Sequence, residues 1–126
     1  MKKIVNTEHA PQPIGPYSQA VQFGNMLFVS GQIAMDPATE EMKMGSIEEE
    51  TTWVMKNLKA VLAEAGYGFE HILKSSIFLS DMGLFNEVNA VYAQSFSTDF
   101  PARETVAVKG LPKGVNVEIS VIAAKE

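Results

Sequence analysis

The chain has 126 residues, 46% of them apolar and 20% charged, and a formal net charge of −5. That length suits one domain with a proper core and is short for two, and the composition is that of an ordinary globular protein. The lack of cysteine excludes disulfides, thiolate nucleophiles and cysteine-held metals, and the ten scattered Lys and Arg argue against a broad nucleic-acid-binding surface.

The basic start Met1-Lys2-Lys3 is broken by Asn6, Glu8 and His9 before the apolar core of a signal peptide forms. No apolar run approaches the ~20 residues of a membrane helix, so a cytoplasmic location is expected. No linker, repeat or low-complexity stretch divides the chain, and residues 1–126 read as a single domain. The segment from His9 to Pro16 carries three of the six prolines and must be irregular or extended. Tyr17 to Phe23 reads as a strand, Gly24-Asn25 as a hairpin turn, and Met26 to Ser30 as the returning strand, with Gly31 to Met35 as its continuation. Asp36-Pro37 breaks it.

Ser46-Ile47-Glu48-Glu49 has capping-box spacing, which predicts a helix starting near Ser46. Ile47, Val54, Leu58, Val61, Leu62 and Ala65 form its apolar stripe, and Gly66 stops it. The acidic run Glu48-Glu49-Glu50 suits the helix N-terminus and reads as a solvated first turn. Trp53 lies off the stripe and reads as a packing or interface residue. Ile72 to Ser80 is β-rich, with His71 at its edge. Asp81 caps a second helix from about Leu84 to Phe96, whose stripe includes Phe85, Val88, Tyr92 and Phe96, with Asn89 beside it. His9 and His71 stand far apart and outside any metal-ligand spacing, and no glycine-rich phosphate loop is present.

Two further strands complete the chain, and each carries a charge that a strand interior tolerates poorly. Alternation puts Arg103, Thr105 and Ala107 on one face of the first. In the second, Glu118 and Ser120 oppose Val117, Ile119 and Val121. Gly110-Leu111-Pro112-Lys113-Gly114 supplies turn residues between them. A hairpin about that turn, with Thr105 opposite Glu118, would bring Arg103 and Glu118 to one small molecule. A structural Arg–Glu ion pair, or two partly solvated charges, is the plainer alternative. The order β-β-α-β-α-β-β, with about five strands, predicts an α+β mixed sheet with both helices on one face. The apolar residues left on the other face predict self-association.

Several segments carry a resemblance spanning nearly the whole chain in order. They are Pro13-Ile14-Gly15-Pro16-Tyr17-Ser18-Gln19-Ala20, Val29-Ser30-Gly31-Gln32-Ile33, Asn57-Leu58-Lys59-Ala60-Val61-Leu62, Val88-Asn89-Ala90-Val91-Tyr92, Pro101-Ala102-Arg103 and Leu111-Pro112-Lys113-Gly114 with Val117-Glu118-Ile119. Together they resemble the Rid family, also called YjgF-like proteins or reactive intermediate deaminases. The resemblance implies a chorismate-mutase-like fold assembled as a homotrimer, with ligand sites at the subunit interfaces. It implies hydrolysis of reactive 2-imino acids and enamines to 2-oxo acids and ammonia, with no metal and no cofactor.

By the same resemblance, Arg103 falls on the carboxylate-binding arginine and Glu118 on the acidic residue beside the reacting centre. Tyr17, Ser30, Gly31, Asn89 and Thr105 fall on substrate-binding positions. Glu104 departs from the serine usual after the arginine, and alternation turns it away from the face of Arg103. A trimeric 2-oxo acid binding or regulatory module without turnover is the rival from another class. A ribonuclease, reported for some relatives, is disfavoured by the acidic balance and the lack of a histidine pair.

Overall fold

Six strands and two α-helices make up the computed structural model, which describes residues 1–126. In chain order they are β1 (Lys3–Val5), β2 (Ala20–Phe23), β3 (Met26–Gln32), α1 (Ile47–Glu64), β4 (Ile72–Leu79), α2 (Phe85–Ala93), β5 (Ala102–Ala107) and β6 (Val117–Ala124). One sheet holds all the strands in the order β1-β2-β3-β6-β4-β5. Neighbours are antiparallel except β4 and β5, which run parallel through the α2 crossover. Gly24 takes φ 60° at the first position of the β2–β3 turn, where a type II′ turn needs it.

Both helices cover one face. Leu27, Val29, Ile77, Leu79, Val117, Ile119 and Val121 point from the sheet into a core shared with Val54, Leu58, Val61 and Leu62 of α1 and Val88 of α2. The Ser46 hydroxyl accepts from the Glu49 amide at 3.0 Å, so the expected N-cap forms, while the Glu49 carboxylate reaches one residue further back than a capping box requires and accepts from the Gly45 amide at 2.7 Å. The opposite face, with Val21, Phe28, Ser76, Val106, Ser120 and Ile122, is uncovered: Phe28 remains 45% and Val106 42% exposed. No helix is long and apolar enough to cross a membrane.

The Arg103 and Glu118 strands do not form the expected hairpin. β4 lies between them, paired with β5 on one side and β6 on the other. The reason is local to the start of β6. Glu50 of α1 is wholly buried and accepts from the backbone amides of Asn116 (2.7 Å) and Val117 (3.0 Å) and from the Asn116 side-chain amide (3.0 Å). Ser80, just past β4, donates its amide to the Asn116 carbonyl and its hydroxyl to Asn116 Oδ1, both at 2.9 Å. The chain is thus pinned beneath α1 and beside β4, and its turn residues form only a short 3₁₀ turn at Pro112–Gly114. Glu50 is therefore no solvated first-turn residue.

Three smaller differences follow. The N-terminal strand β1 was not anticipated, β2 begins at Ala20 rather than Tyr17, and α2 ends at Ala93 rather than near Phe96. Asp81 does cap, but it caps a 3₁₀ turn at Met82–Leu84 that leads into α2.

Candidate functional site

One group of the expected site residues gathers where β3 bulges. Val29 pairs with Val121 but Gln32 with Ile119, so β3 spends one extra residue, across Ser30-Gly31, opposite β6. Bulges re-aim side chains and loosen regular pairing. Here the bulge is held on both sides. The Ser30 amide donates to the Gln19 carbonyl (2.9 Å), its hydroxyl to the Ser18 carbonyl (2.6 Å), and the Gln32 side chain returns to the Ser30 carbonyl (3.1 Å).

Gly31 makes room for Glu118. A Cβ at that position would overlap Glu118 Oε2 and lie 2.7 Å from Cδ, so the carboxylate rests against bare backbone. Glu118 is half-buried, and desolvation alone moves its carboxyl, upward from the ordinary glutamate range. No cation offsets that shift. Tyr17, Gln19, Gly31, Gln32, Lys113 and Glu118 line one cavity. The proline-rich wall beside it is tied down by Gln19, which is buried. Its side chain accepts from the Thr7 amide (2.7 Å) and donates to the carbonyls of Thr7, Ala10 and Pro11 (2.9–3.2 Å). Tyr17 is 52% exposed, so it is a rim residue and not a strand-packing one.

The second group forms around Arg103 on the edge strand β5. The guanidinium donates to Asn89 Oδ1 at 2.6 Å and lies over the rings of Phe85 (5.5 Å) and Tyr92 (5.2 Å). The Tyr92 hydroxyl donates to Ser75 Oγ at 2.8 Å. Burial raises the Tyr92 pKa, opposed by that hydrogen bond and by the Arg103 charge. Thr105, two residues along the same face, keeps a buried hydroxyl with no protein partner. The two ion pairs of the structure are Lys43–Glu41 and Lys74–Glu104, so Arg103 has no carboxylate partner.

The two groups do not meet within one chain. Arg103 pairs through Ser75 with Val121, whereas Glu118 is opposite Phe78. Three residues and two strand spacings put their backbones about 10 Å apart along the strands and about 10 Å across them. The odd offset also places them on opposite faces: Arg103 on the helix side, Glu118 on the uncovered side. Glu104 points away from Arg103 as alternation expects. It accepts from the Ser76 hydroxyl and pairs with Lys74 at 3.1 Å; these contacts, Ser76 first, hold its carboxyl below the ordinary range. No three His, Asp or Glu side chains cluster as metal ligands.

The family profile described as Endoribonuclease L-PSP matches residues 7–125. A crystal structure of YyfA from Yersinia pestis, described as of unknown function within the conserved Rid protein family, superposes with a TM-score of 0.96 at 45% identity, covering 99% of this chain and 100% of that one. The chain belongs to the Rid family. A human relative named 2-iminobutanoate/2-iminopropanoate deaminase is 40% identical over 98% of this chain and 90% of its own length. The structure of Escherichia coli TdcF with bound serine matches with a TM-score of 0.94 at 38% identity, covering 98% and 99% of the two chains.

Within this Rid chain, three residues beside the candidate site were given no part in it by the sequence reading. Phe85 and Tyr92 were placed on an apolar stripe, and Tyr92 does lie in the core; with Asn89 they also stand at i, i+4 and i+7, a spacing that aligns three groups along one face. Glu50 was hidden in an acidic run. Nothing in its spacing distinguishes it from its solvated neighbours.

Proposed function

We propose that the protein is a cytoplasmic hydrolytic deaminase. It converts 2-aminoacrylate, 2-iminopropanoate and 2-iminobutanoate to 2-oxo acids and ammonia. It acts as a homotrimer, each site joining the Arg103 group of one subunit to the Glu118 group of the next. The observation that carries this reading is a guanidinium held in place yet left without a carboxylate, on a free sheet edge. Its counterpart is a desolvated carboxylate on the uncovered face. Contact between two different patches closes into a ring, and three is the number that family resemblance implies. The serine in the E. coli relative is a small 2-amino acid with the same carboxylate that Arg103 would grip.

Arg103 anchors the substrate carboxylate through two parallel N–H donors, fixing orientation as well as charge. Glu118 takes a proton from water as its oxygen adds to the imine carbon, and the imine nitrogen takes a proton from solvent to give a neutral carbinolamine. The protonated Glu118 then returns its proton to the amino group. The C–N bond breaks, ammonia leaves, and the hydroxyl proton is lost as the 2-oxo acid forms. A raised carboxyl pKa suits a group that both takes and gives a proton near neutrality. Thr105 and the backbone of Ser30-Gly31 supply polar contacts to the carboxylate or the developing hydroxyl.

The test couples a serine or threonine dehydratase to the purified protein and follows 2-oxo acid release. Wild type shortens the imine's lifetime and Arg103→Ala abolishes that effect while the oligomer persists. Glu118→Gln keeps 2-oxo acid binding and slows hydrolysis by ~10²–10⁴-fold. Saturable 2-oxo acid binding with no shortening by wild type would instead make this a binding module.

A further inference from the structure

We propose that Phe85 and Tyr92 are positioning residues for Arg103, forming an aromatic cradle that fixes the guanidinium without neutralising it. The inference rests on the carboxylate-anchor reading above and extends it to residues with no assigned role. Phe85, Asn89 and Tyr92 lie along one face of α2, the outer two about 10.5 Å apart along the axis. The guanidinium carbon stands 5.5 Å from one ring centroid and 5.2 Å from the other, and Asn89 Oδ1 accepts from its Nη1 group. It therefore lies within cation–π reach of both rings.

The chemistry of the three contacts matters more than their number. An arginine fixed for structural reasons is ordinarily held by a carboxylate, which satisfies its donors and cancels its charge. Here every holder is neutral. Ring quadrupoles attract a cation without supplying a counter-charge or an acceptor in the guanidinium plane. Of five N–H donors only one is committed, to Asn89, so four remain for an incoming anion. A free arginine on an edge strand would lose much rotamer freedom on gripping a ligand. The cradle removes that freedom beforehand, so less affinity is lost on binding. Tyr92 is itself fixed by its hydrogen bond to Ser75 of β4, which ties the cradle to the sheet that carries Arg103.

The experiment measures kcat and KM in the dehydratase-coupled assay, and the Kd of pyruvate, for Phe85→Leu, Tyr92→Leu, Tyr92→Phe and Phe85→Tyr. Phe85 is only partly buried at the start of α2, so its leucine variant is expected to fold. Phe85→Leu and Tyr92→Leu are expected to raise KM and pyruvate Kd by ~5–20-fold, the range of a partly desolvated cation–π contact. Their kcat should change by less than about twofold, because the cradle acts on carboxylate binding. Tyr92→Phe keeps the ring and should shift KM less than Tyr92→Leu, and Phe85→Tyr should restore near-native values. A folded Phe85→Leu or Tyr92→Leu with unchanged KM and Kd, or with the loss confined to kcat, overturns the cradle. Should Tyr92→Leu fail to fold, the Phe85 pair decides alone. Arg103→Ala run alongside separates the two ideas: if it leaves pyruvate binding intact, the anchor reading fails first.

Discussion

The surroundings of Arg103 and Glu118, the two residues of the proposed site, are built by opposite means. Around Arg103 the protein is regular: a helix supplies three groups at helical spacing, a strand supplies the arginine, and neutral contacts fix the charge without spending it. Around Glu118 it is irregular: a bulge, a bare glycine and a proline-rich wall press on a carboxylate that receives no compensating contact. A binding group gains from being held, since orientation is its task. A proton-transfer group gains from being desolvated, since that brings its pKa toward the working range. Placing the two tasks on opposite faces lets each environment be built without compromising the other. On the proposed reading it also makes one chain insufficient.

The sharpest way to break this comparison is subunit mixing. Arg103→Ala and Glu118→Gln are each expected to be nearly inactive alone. Dissociated, mixed in equal amounts and reassembled at random, they should regain about one quarter of wild-type sites, those joining an intact Arg103 to an intact Glu118 across an interface. No recovery despite verified subunit exchange would mean that the two residues do not share an intersubunit site. Next in size is Gly31→Ala. The added methyl displaces Glu118 directly and lowers kcat by ~10²-fold, the cost of misplacing a catalytic group by about an ångström. Pyruvate Kd, which reads the Arg103 side, should stay within about threefold. A matching loss in Kd would show that the two halves are not separable.

How much of this was legible in sequence depends on which physics wrote it. The α1 start was readable because its cap uses residues close in sequence, Ser46 and Glu49. The two-helix, one-sheet layout followed from periodicity. Strand order did not, because alternation says which residues share a face of one strand and nothing about the neighbouring strand. The adjacency of β6 and β4 is set by Glu50 and Ser80 binding the same Asn116, contacts 66 and 36 residues apart in sequence. The division of the site into two halves was lost with the hairpin. The β3 bulge escaped too, since a one-residue offset leaves no compositional trace. Arg103 and Glu118 stood out as charges within strands, the remaining site residues came from resemblance, and the structure sorts them all into two groups.

Glu50 offers a test that reaches only one side of the comparison. Replacing it by Ala strands the Asn116 and Val117 amides in a buried place and costs about 3 kcal/mol of stability, measured by denaturant melting. Glu50→Gln keeps one oxygen for those two amides and should cost less than half as much. Because the pinned amides stand one and two residues before Glu118, folded Glu50→Ala protein should lose kcat with little change in pyruvate Kd. Native stability in Glu50→Ala would mean that β6 is held in place by packing alone.

The smallest expected effects concern pH and carry opposite signs for two carboxylates on the same face. Glu118 has a folded-state pKa raised by desolvation, so the folded protein binds its proton more tightly than the unfolded chain does. The stability it contributes is fully present below the unfolded glutamate value of about 4.3 and is lost as pH rises through the folded value. Glu118→Gln should therefore melt above wild type at pH 7, with the gain vanishing near pH 4. Glu104 is the reverse: hydrogen bonding from Ser76, then Lys74, lowers its folded-state pKa, so its contribution is present at pH 7 and lost on acidification. Glu104→Gln should melt slightly below wild type at pH 7 and level with it in acid. Melting curves of both variants across pH 4–8 check the pair. Equal signs at pH 7 would mean that desolvation does not govern Glu118, and the contrast between a held group and a pressed one would lose its electrostatic basis.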